Sequence, residues 1–231
     1  MEILRRYAPQ NDMIIEMSTQ PGDVPANLQS PNKGRRMPNQ RFNDAIKKID
    51  AANAQDPNLL DIDGQKRPLE LVHAEHRTGW VHKLAGDGVS EALLLAARAQ
   101  HIRRWEIPRS DYPRDRPGYL KWRQDLKRFH AAKTSAILQD VGYDDDTIRR
   151  VKDLILKKRL KLDPEVQTLE DALCLVFLEQ QFSEFAKKEA GKIVDIIRKT
   201  WRKMSPQGQH FALQLPLTPE DQAIIEEALG A

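Results

Sequence analysis

Four polar side chains that could bind a metal or carry a proton lie on the apolar faces of predicted helices: His76, His101, His130 and Asp171. Burying such a group without a partner costs on the order of 1–3 kcal/mol, so an inward-facing polar residue is usually paired, metal-bound or chemically active. Histidine and carboxylate together suit divalent metals, and a bound metal activates water and neutralises phosphate charge. With Arg98 and Glu75 beside them, these residues form a candidate metal site.

A basic and aromatic segment follows the second of these histidines. Between Arg103 and Lys133 there are ten Lys or Arg residues against four Asp or Glu, interleaved with aromatic rings. Arginine forks suit the free oxygens of a phosphate ester, and aromatic rings between cations also suit unstacked RNA bases. The alternative is a solvated helix face whose arginine stems cover the core.

Structural explanations compete with the metal site. A lone inward histidine is more often a hydrogen-bonded core residue than a ligand, and His73 is an example. The segment from Thr168 to Asp171 has the spacing of a capping box, in which Asp171 would bond the first free N–H groups of a helix. The sequence leaves both interpretations open.

Helical spacing positions these residues. It begins after Pro38 and predicts seven or eight helices, among them roughly 68–85, 90–105 and 117–141, which carry the histidines. The segment TLEDALCLVFLEQQFSEF is the most hydrophobic and is the predicted central helix. No alternating strand pattern of useful length is found. We therefore expect an all-α protein with one globular domain over 39–231, behind a disordered, proline-rich arm over 1–38.

Composition limits the class of protein. The chain has 231 residues, 40% hydrophobic and 31% charged, with a net charge of +3. That is enough apolar material for one core and too little charge for a general nucleic-acid-wrapping polycation. A single cysteine, Cys174, and the lack of a long apolar run or signal-peptide pattern predict a cytoplasmic protein without a membrane span.

Several segments resemble the HD superfamily of metal-dependent phosphohydrolases, which are all-helical. LLLAARAQHI is similar to the buried helix of the second HD motif, and HAAKTSAILQDVGYDDDTIRRVKDLI with LEDALCLV is similar to the stretch leading to the last metal aspartate, which maps onto Asp171. The resemblance implies an HD-like core over about 68–185. It departs at Ile102, where the superfamily has aspartate. His73 and His76 both fit the first ligand, and Glu75, Glu106 or Asp111 could replace the missing one.

Longer strings resemble an uncharacterised family of bacteria and fungi known as a domain of unknown function. They are AARAQHIRRWEIPRSDYP, GYLKWRQDLKRFHA, LEDALCLVFLE and KTWRKMS. Some members are labelled glutamyl-tRNA synthetase, and HIRR and KMS are faintly similar to the ATP-binding signatures of that class. Those signatures belong on a parallel nucleotide-binding sheet, which the helical pattern does not provide.

Together the residues and the HD resemblance imply a phosphohydrolase that acts on a nucleotide or another small phosphate ester. His76, His101 and Asp171 would bind a divalent Mn, Mg, Co, Ni or Zn ion, and His130 would orient or protonate the substrate. The expected substrate-binding residues are Arg98, Arg103, Arg104, Trp105 and Arg109. The alternative function is a non-catalytic helical module that binds RNA or another anionic partner through the basic aromatic segment.

Overall fold

The computed structural model describes residues 40–189 and 191–230, and within them the chain forms ten α-helices and one β-hairpin. The elements are α1 (Gln40–Asn53), β1 (Leu59–Ile62), β2 (Gln65–Pro68), α2 (Leu69–Ala85), α3 (Glu91–Ala99), α4 (Arg116–Asp140), α5 (Asp145–Ile155), α6 (Pro164–Gln180), α7 (Phe182–Lys188), α8 (Ile193–Lys203), α9 (Pro206–Ala212) and α10 (Pro219–Leu229). The all-α prediction is confirmed, whereas the count of seven or eight helices was too low. The predicted disordered arm over 1–38 lies outside the described residues.

The additional helices are short. Apolar periodicity in the sequence either joins such a helix to its neighbour or does not detect it. Helix α7 follows the apolar run of α6 after a break at Gln181. The backbone of Gln181 leaves the helical region (φ −127°, ψ −16°). Helix α9 has seven residues, too few for a clear apolar stripe, but it is capped by Ser205 and starts at Pro206. Ser205 followed by Pro206 was therefore the sequence signal for this additional helix.

The hairpin between α1 and α2 was not expected, because no alternating strand pattern was found in the sequence. Strands β1 and β2 pair antiparallel, with Leu59 opposite Pro68 and Ile62 opposite Gln65. The turn residues Asp63 and Gly64 have φ values of 51° and 80°. Positive φ at both central residues defines the tight hairpin turn that an Asp-Gly pair favours. The four-residue strands are too short to show alternation, so the turn was the better signal.

The observed helix caps agree with the sequence signals at two helices and differ from the sequence interpretation at a third. Ser90 caps α3 and Thr218 caps α10, each accepting a backbone N–H three residues later, as expected for these residue types before a helix. Helix α6 starts at Pro164 with Asp163 as its cap, one turn earlier than expected. The proposed capping box at Thr168–Asp171 was therefore wrong, because both residues lie inside the helix and the Thr168 hydroxyl donates to the Pro164 carbonyl.

The core is built around α3 and α6. Helix α6 is the predicted central helix, and it packs against α2, α3, α5, α8 and α9 while burying apolar side chains around most of its circumference. The alanine-rich α3 packs closely against α1, α2, α5 and α6. Helix α3 ends at Ala99, so His101 lies in the turn after the helix and not on the predicted 90–105 helix.

The longer helices are amphipathic or buried within the protein. Among residues 40–189 and 191–230, no helix combines the length and apolar composition that crossing a bilayer requires.

Candidate functional site

A cavity of about 690 Å³ opens between α2, α4, α6, α8 and the connectors after α3 and α5. This volume is within the roughly 300–1,000 Å³ range of small-molecule sites. Its charged and imidazole lining consists of Asp56, Glu70, His73, Arg77, His101, Arg104, Arg109, Arg123, Lys157, Glu170 and Lys203. Six cations thus face three carboxylates in one concavity. Apolar walls come from Trp105, Ile107, Pro108, Trp122, Leu173 and Phe177.

The buried pair Glu70 and Arg77 forms one wall of the cavity. The two residues lie two turns apart on α2, and Arg77 Nη2 donates to Glu70 Oε1 at 3.1 Å. Arg77 Nε also donates to the Ala97 carbonyl at 2.6 Å, which ties α2 to α3. Burial raises the pKa of Glu70 to about 7, although Arg77 opposes the shift. A carboxyl group that can exchange a proton near neutral pH therefore lines the cavity.

Five further cations lie close enough to repel one another: Arg104, Arg123, Lys127, Lys157 and Lys203. Desolvation, followed by the charge of Arg123, lowers the pKa of Arg104. Desolvation, followed by the charges of Lys157 and Arg123, lowers the pKa of Lys127. Lys157 pairs with Glu170, and Lys203 lies 4.0 Å from the same carboxylate. The single carboxylate of Glu170 therefore lies within ion-pair distance of two lysines.

Arg104 and Arg123 feel the charges of Glu70 and Glu170 only from a distance. Among the described residues, neither guanidinium has a carboxylate within ion-pair distance. Arg104 lies 5.1 Å from the ring centroid of Trp122, and the Trp122 indole donates to the Ile107 carbonyl at 2.9 Å. The tryptophan thus holds Arg104 at the cavity without neutralising it.

His101 is a neutral base at the cavity wall. Burial, and then the charges of Arg77 and Arg104, hold its pKa well below the usual value. Its ring centroid lies 5.7 Å from that of His130. His130 Nδ1 donates to the Ile102 carbonyl at 2.8 Å, whereas its buried Nε2 has no partner among the described residues. Burial lowers the pKa of His130 to about 3, so both imidazoles are neutral at physiological pH.

Left-handed backbone conformations occur beside the cavity. Lys157, in the connector after α5, has φ 57°, and Arg103, just after His101, has φ 52°. For residues with a side chain, such conformations are uncommon and cost roughly 1–3 kcal/mol. At Lys157 the conformation comes with the ion pair to Glu170 and aims the lysine into the cavity wall.

Four of the residues predicted from sequence meet at this cavity: His101, Arg104, Trp105 and Arg109. Arg109 donates to the Tyr112 and Pro113 carbonyls at 2.9 and 2.6 Å, so its guanidinium also fixes the connector before α4. The predicted catalytic residue His130 is behind His101 and does not line the cavity.

Two of the predicted metal ligands are placed elsewhere. His76 Nδ1 is 3.1 Å from Glu179 Oε2, an oxygen that also accepts from the Trp80 indole at 3.1 Å. Asp171 accepts from the Ser205 backbone N–H at 2.8 Å and from its hydroxyl at 2.5 Å. The carboxylate of Asp171 therefore holds the start of α9, and it does not line the cavity with His101.

Two predicted substrate-binding arginines also have partners away from the cavity. Arg98 makes a bidentate pair with Asp50 at 2.5 and 2.8 Å, which joins α3 to α1. Arg103 pairs with Glu106 and donates to Gln55 Oε1 at 2.5 Å. These arginines are engaged in linking the elements of the fold.

The alternative metal ligands Glu75, Glu106 and Asp111 do not line the cavity. Glu75 accepts two hydrogen bonds from Arg67, each 2.9 Å long, and Glu106 pairs with Arg103. Of the two candidates for the first ligand, His73 lines the cavity and His76 does not. Within the part of the chain that the structure describes, no group of three or more His, Cys, Asp or Glu side chains is arranged to hold a metal ion.

Sequence reasoning missed most of the charged lining. Glu70, His73 and Arg77 follow one another at intervals of three and four, so they share a face of α2 with Val81 and Leu84. A carboxylate and an arginine on a buried stripe were a usable signal. Lys157 and Lys203 gave none, because one lies in a connector and the other at the last turn of a helix.

Comparison with known proteins gives a family and no activity. The family model described as Domain of unknown function (DUF4202) matches residues 43–225. No curated protein matches the chain, and no solved structure does. The match agrees with the resemblance of the long sequence strings to a domain of unknown function, whereas the resemblance to the HD superfamily stays a prediction.

Proposed function

Because the chain belongs to the DUF4202 family, whose description names no activity, we propose a function from the cavity: it binds a small phosphate ester and hydrolyses it. The observation that carries the proposal is that two guanidinium groups, Arg104 and Arg123, form no ion pair within the described residues, in a concavity with six cations and three carboxylates. An excess of cations in a partly desolvated site favours an anion, and arginine forks match phosphate oxygens.

The cavity also has groups for proton transfer. His101 is neutral, so it can accept a proton from a water molecule that attacks phosphorus. Glu70, with its pKa of about 7, can give its proton to the leaving oxygen as the ester P–O bond breaks. His130, which contacts the His101 ring, would act as a positioning residue. This division of roles supports hydrolysis as the reaction of the bound ester.

A metal-dependent form of the reaction fits the described residues poorly. The HD resemblance implies a divalent ion, but His76 and Asp171 are engaged outside the cavity, and His101 is surrounded by Arg77, Arg104 and Lys157. Those positive charges oppose a cation at the imidazole. We therefore propose phosphate recognition through the arginines and lysines, with no step assigned to a metal.

Phosphate binding is tested by calorimetric titration with orthophosphate and a phosphate monoester. Arg123→Gln removes a cavity cation without leaving a carboxylate unpaired, and we expect it to weaken binding by roughly tenfold or more, since hydrogen bonds to charged groups contribute about 1.5–3 kcal/mol. Arg128→Gln is the matched control, because Arg128 is an exposed arginine on the same helix. Equal affinities of the two variants would contradict the proposal.

Hydrolysis is tested with a panel of phosphate esters, without added metal and with Mn, Mg, Co, Ni or Zn. We expect turnover without metal, loss of turnover in His101→Ala and retention of phosphate binding in that variant. Bound metal that is present in the unsubstituted protein and absent from His101→Ala would instead restore the metal-dependent mechanism. A complete lack of turnover on all esters would leave a binding protein and remove the enzymatic half of the proposal.

RNA binding is the second candidate. Tyr119, 45% exposed on α4, supports it as a ring available for base stacking near the basic residues. Other rings of the segment already contact cations of the chain, such as Phe129 with Lys133 and Trp105 with Arg103. Single-stranded RNA should then bind with an affinity that falls steeply as salt is added, and Tyr119→Ala should weaken it. If single-stranded RNA does not bind at low salt, RNA binding is excluded as the function.

A further inference from the structure

The charge of the cavity exceeds what a single phosphate group supplies. A phosphate monoester carries about −1.5 to −2 at pH 7. The cavity is lined by three more cations than carboxylates, and Glu70 with its pKa of about 7 is partly neutral, which raises the excess. One monoester would therefore leave positive charge uncompensated, whereas two linked phosphate groups bring a charge of about −3.

The cations also come from several elements that surround the cavity. Arg104 and Arg123 are supplied by the connector after α3 and by α4, whereas Lys157 and Lys203 are supplied by the connector after α5 and by α8. Arg123 is near both groups, since its charge acts on Arg104 and on Glu170, the carboxylate that pairs with Lys157. The pattern is a row with two ends on different elements.

The two ends differ in their local acids. At the lysine end, Glu170 pairs with Lys157 and leaves Lys203 at 4.0 Å, at the limit of ion-pair distance. The Lys203 side chain is 51% exposed, so it lies at the rim and is free to reorient toward a ligand. At the arginine end, Arg104 and Arg123 have no acid partner in the described residues.

We infer that the ligand carries a diphosphate group, with one phosphate at Arg104 and Arg123 and the other at Lys157 and Lys203. This inference rests on the proposed function, because it names the class of phosphate compound that the same cavity binds. The apolar wall of Trp105, Ile107 and Pro108 leaves room beside the row for the organic part of the ligand.

The test compares inorganic pyrophosphate with orthophosphate by calorimetric titration of the full chain at pH 7.5 and constant ionic strength. We expect pyrophosphate to bind at least about tenfold more tightly, because it alone reaches both ends of the row. Lys203→Gln should weaken pyrophosphate about tenfold and orthophosphate less than about threefold. Lys199→Gln is the matched control, since Lys199 is an exposed lysine on the same helix that does not line the cavity.

The outcomes separate this inference from the function on which it rests. Equal affinity for the two anions, with both weakened by Arg123→Gln, would overturn the diphosphate and keep the phosphate site. Tight pyrophosphate binding that Lys203→Gln and Lys199→Gln change equally would overturn the assignment of the second phosphate to the lysine end. Binding of neither anion would remove the diphosphate and the proposed function together.

Discussion

Asp171 holds two helices together through hydrogen bonds that a carboxylate is well suited to accept. Three donors converge on it: the Ser205 backbone N–H, the Ser205 hydroxyl and the Gln167 amide at 2.9 Å. Desolvation raises the pKa of Asp171 above its ordinary value, while these hydrogen bonds oppose the shift. At the scale of one residue, these hydrogen bonds explain why a carboxylate is buried on α6, and a bound ligand is not needed to explain it.

Asp171→Ala should therefore destabilise the protein and leave phosphate binding intact. We expect a loss of roughly 1–3 kcal/mol in the free energy of unfolding, because buried donors lose their acceptor. Chemical denaturation measures the loss, and phosphate titration of the folded variant measures the affinity. Asp146→Ala is the control, since Asp146 is an exposed acid paired with Arg149, and its stability should change little. A folded Asp171→Ala variant with phosphate affinity reduced tenfold would place the residue in the site.

Residue type and spacing predicted part of the cavity and misplaced part of it. His101 was found because it lies on the apolar face of a predicted helix, and Arg104 because it belongs to the basic segment that follows. His76 and Asp171 were assigned to the same site because periodicity gives the buried face of each helix and not the neighbour that the face meets. Their actual partners, Glu179 and Ser205, are more than thirty residues away in sequence.

At the scale of helices, the contact between α6 and α9 depends on a glycine. A Cβ placed on Gly208 would lie 2.7 Å from Asp171 Cγ and 2.8 Å from Oδ1, closer than carbon atoms of real side chains approach. Asp171 is itself held by Ser205 at the start of the same short helix. The close approach of the two helices and the cap of α9 are therefore parts of one arrangement.

This arrangement reverses the usual effect of replacing a helical glycine with alanine. Gly79→Ala in α2 should stabilise the protein by up to about 1 kcal/mol, because its Cβ meets nothing within 4 Å and alanine favours a helix. Gly208→Ala should destabilise it, since the added Cβ displaces Asp171 from its donors. Denaturation of the two variants side by side gives the signs. Stabilisation by both substitutions would show that α9 moves freely against α6.

Helices were predictable from the sequence where one local signal dominated. Helix boundaries were less predictable where tertiary contacts determine the residue at which a helix ends. The long α2 and α4 and the capped α10 agree with the apolar spacing and start signals. The end of α3 at Ala99 was missed, because the run through His101 and Trp105 continues the helical spacing. The left-handed residue Arg103 then redirects the chain into the cavity connector, and a single sequence gives no local reason to expect it there.

At the scale of the whole molecule, the site keeps its histidines neutral in an environment of excess positive charge. Burial lowers the pKa of His73 to about 4 and that of His130 to about 3, and the pKa of His101 also lies well below its ordinary value. Each takes up a proton in the unfolded chain at a higher pH than in the folded one. As pH falls below about 6.5, proton uptake by these residues therefore favours unfolding.

Glu70 acts in the opposite direction. Its folded pKa of about 7 lies above the ordinary value of 4.5, so between these values the folded chain holds a proton that the unfolded chain releases. Its contribution to stability is present at low pH and is lost as pH rises through about 7. His73 and His130 against Glu70 leave a net difference of about one proton between pH 6 and 5, and His101 acts in the same direction as the other histidines.

We accordingly expect the free energy of unfolding to fall between pH 6 and 5 with a slope of at least about 1.4 kcal/mol per pH unit, the value for one proton. His130→Asn keeps a donor for the Ile102 carbonyl but does not titrate, so it should reduce the slope by up to about 1.4 kcal/mol per unit, whatever its stability at pH 7. Urea denaturation at half-unit intervals measures both slopes, with His82→Asn as the matched control, since His82 is an exposed histidine on α2. Stability that is constant or rises on acidification over this range would mean that the buried imidazoles accept protons in the folded state, and the neutral base assigned to His101 would have to be abandoned.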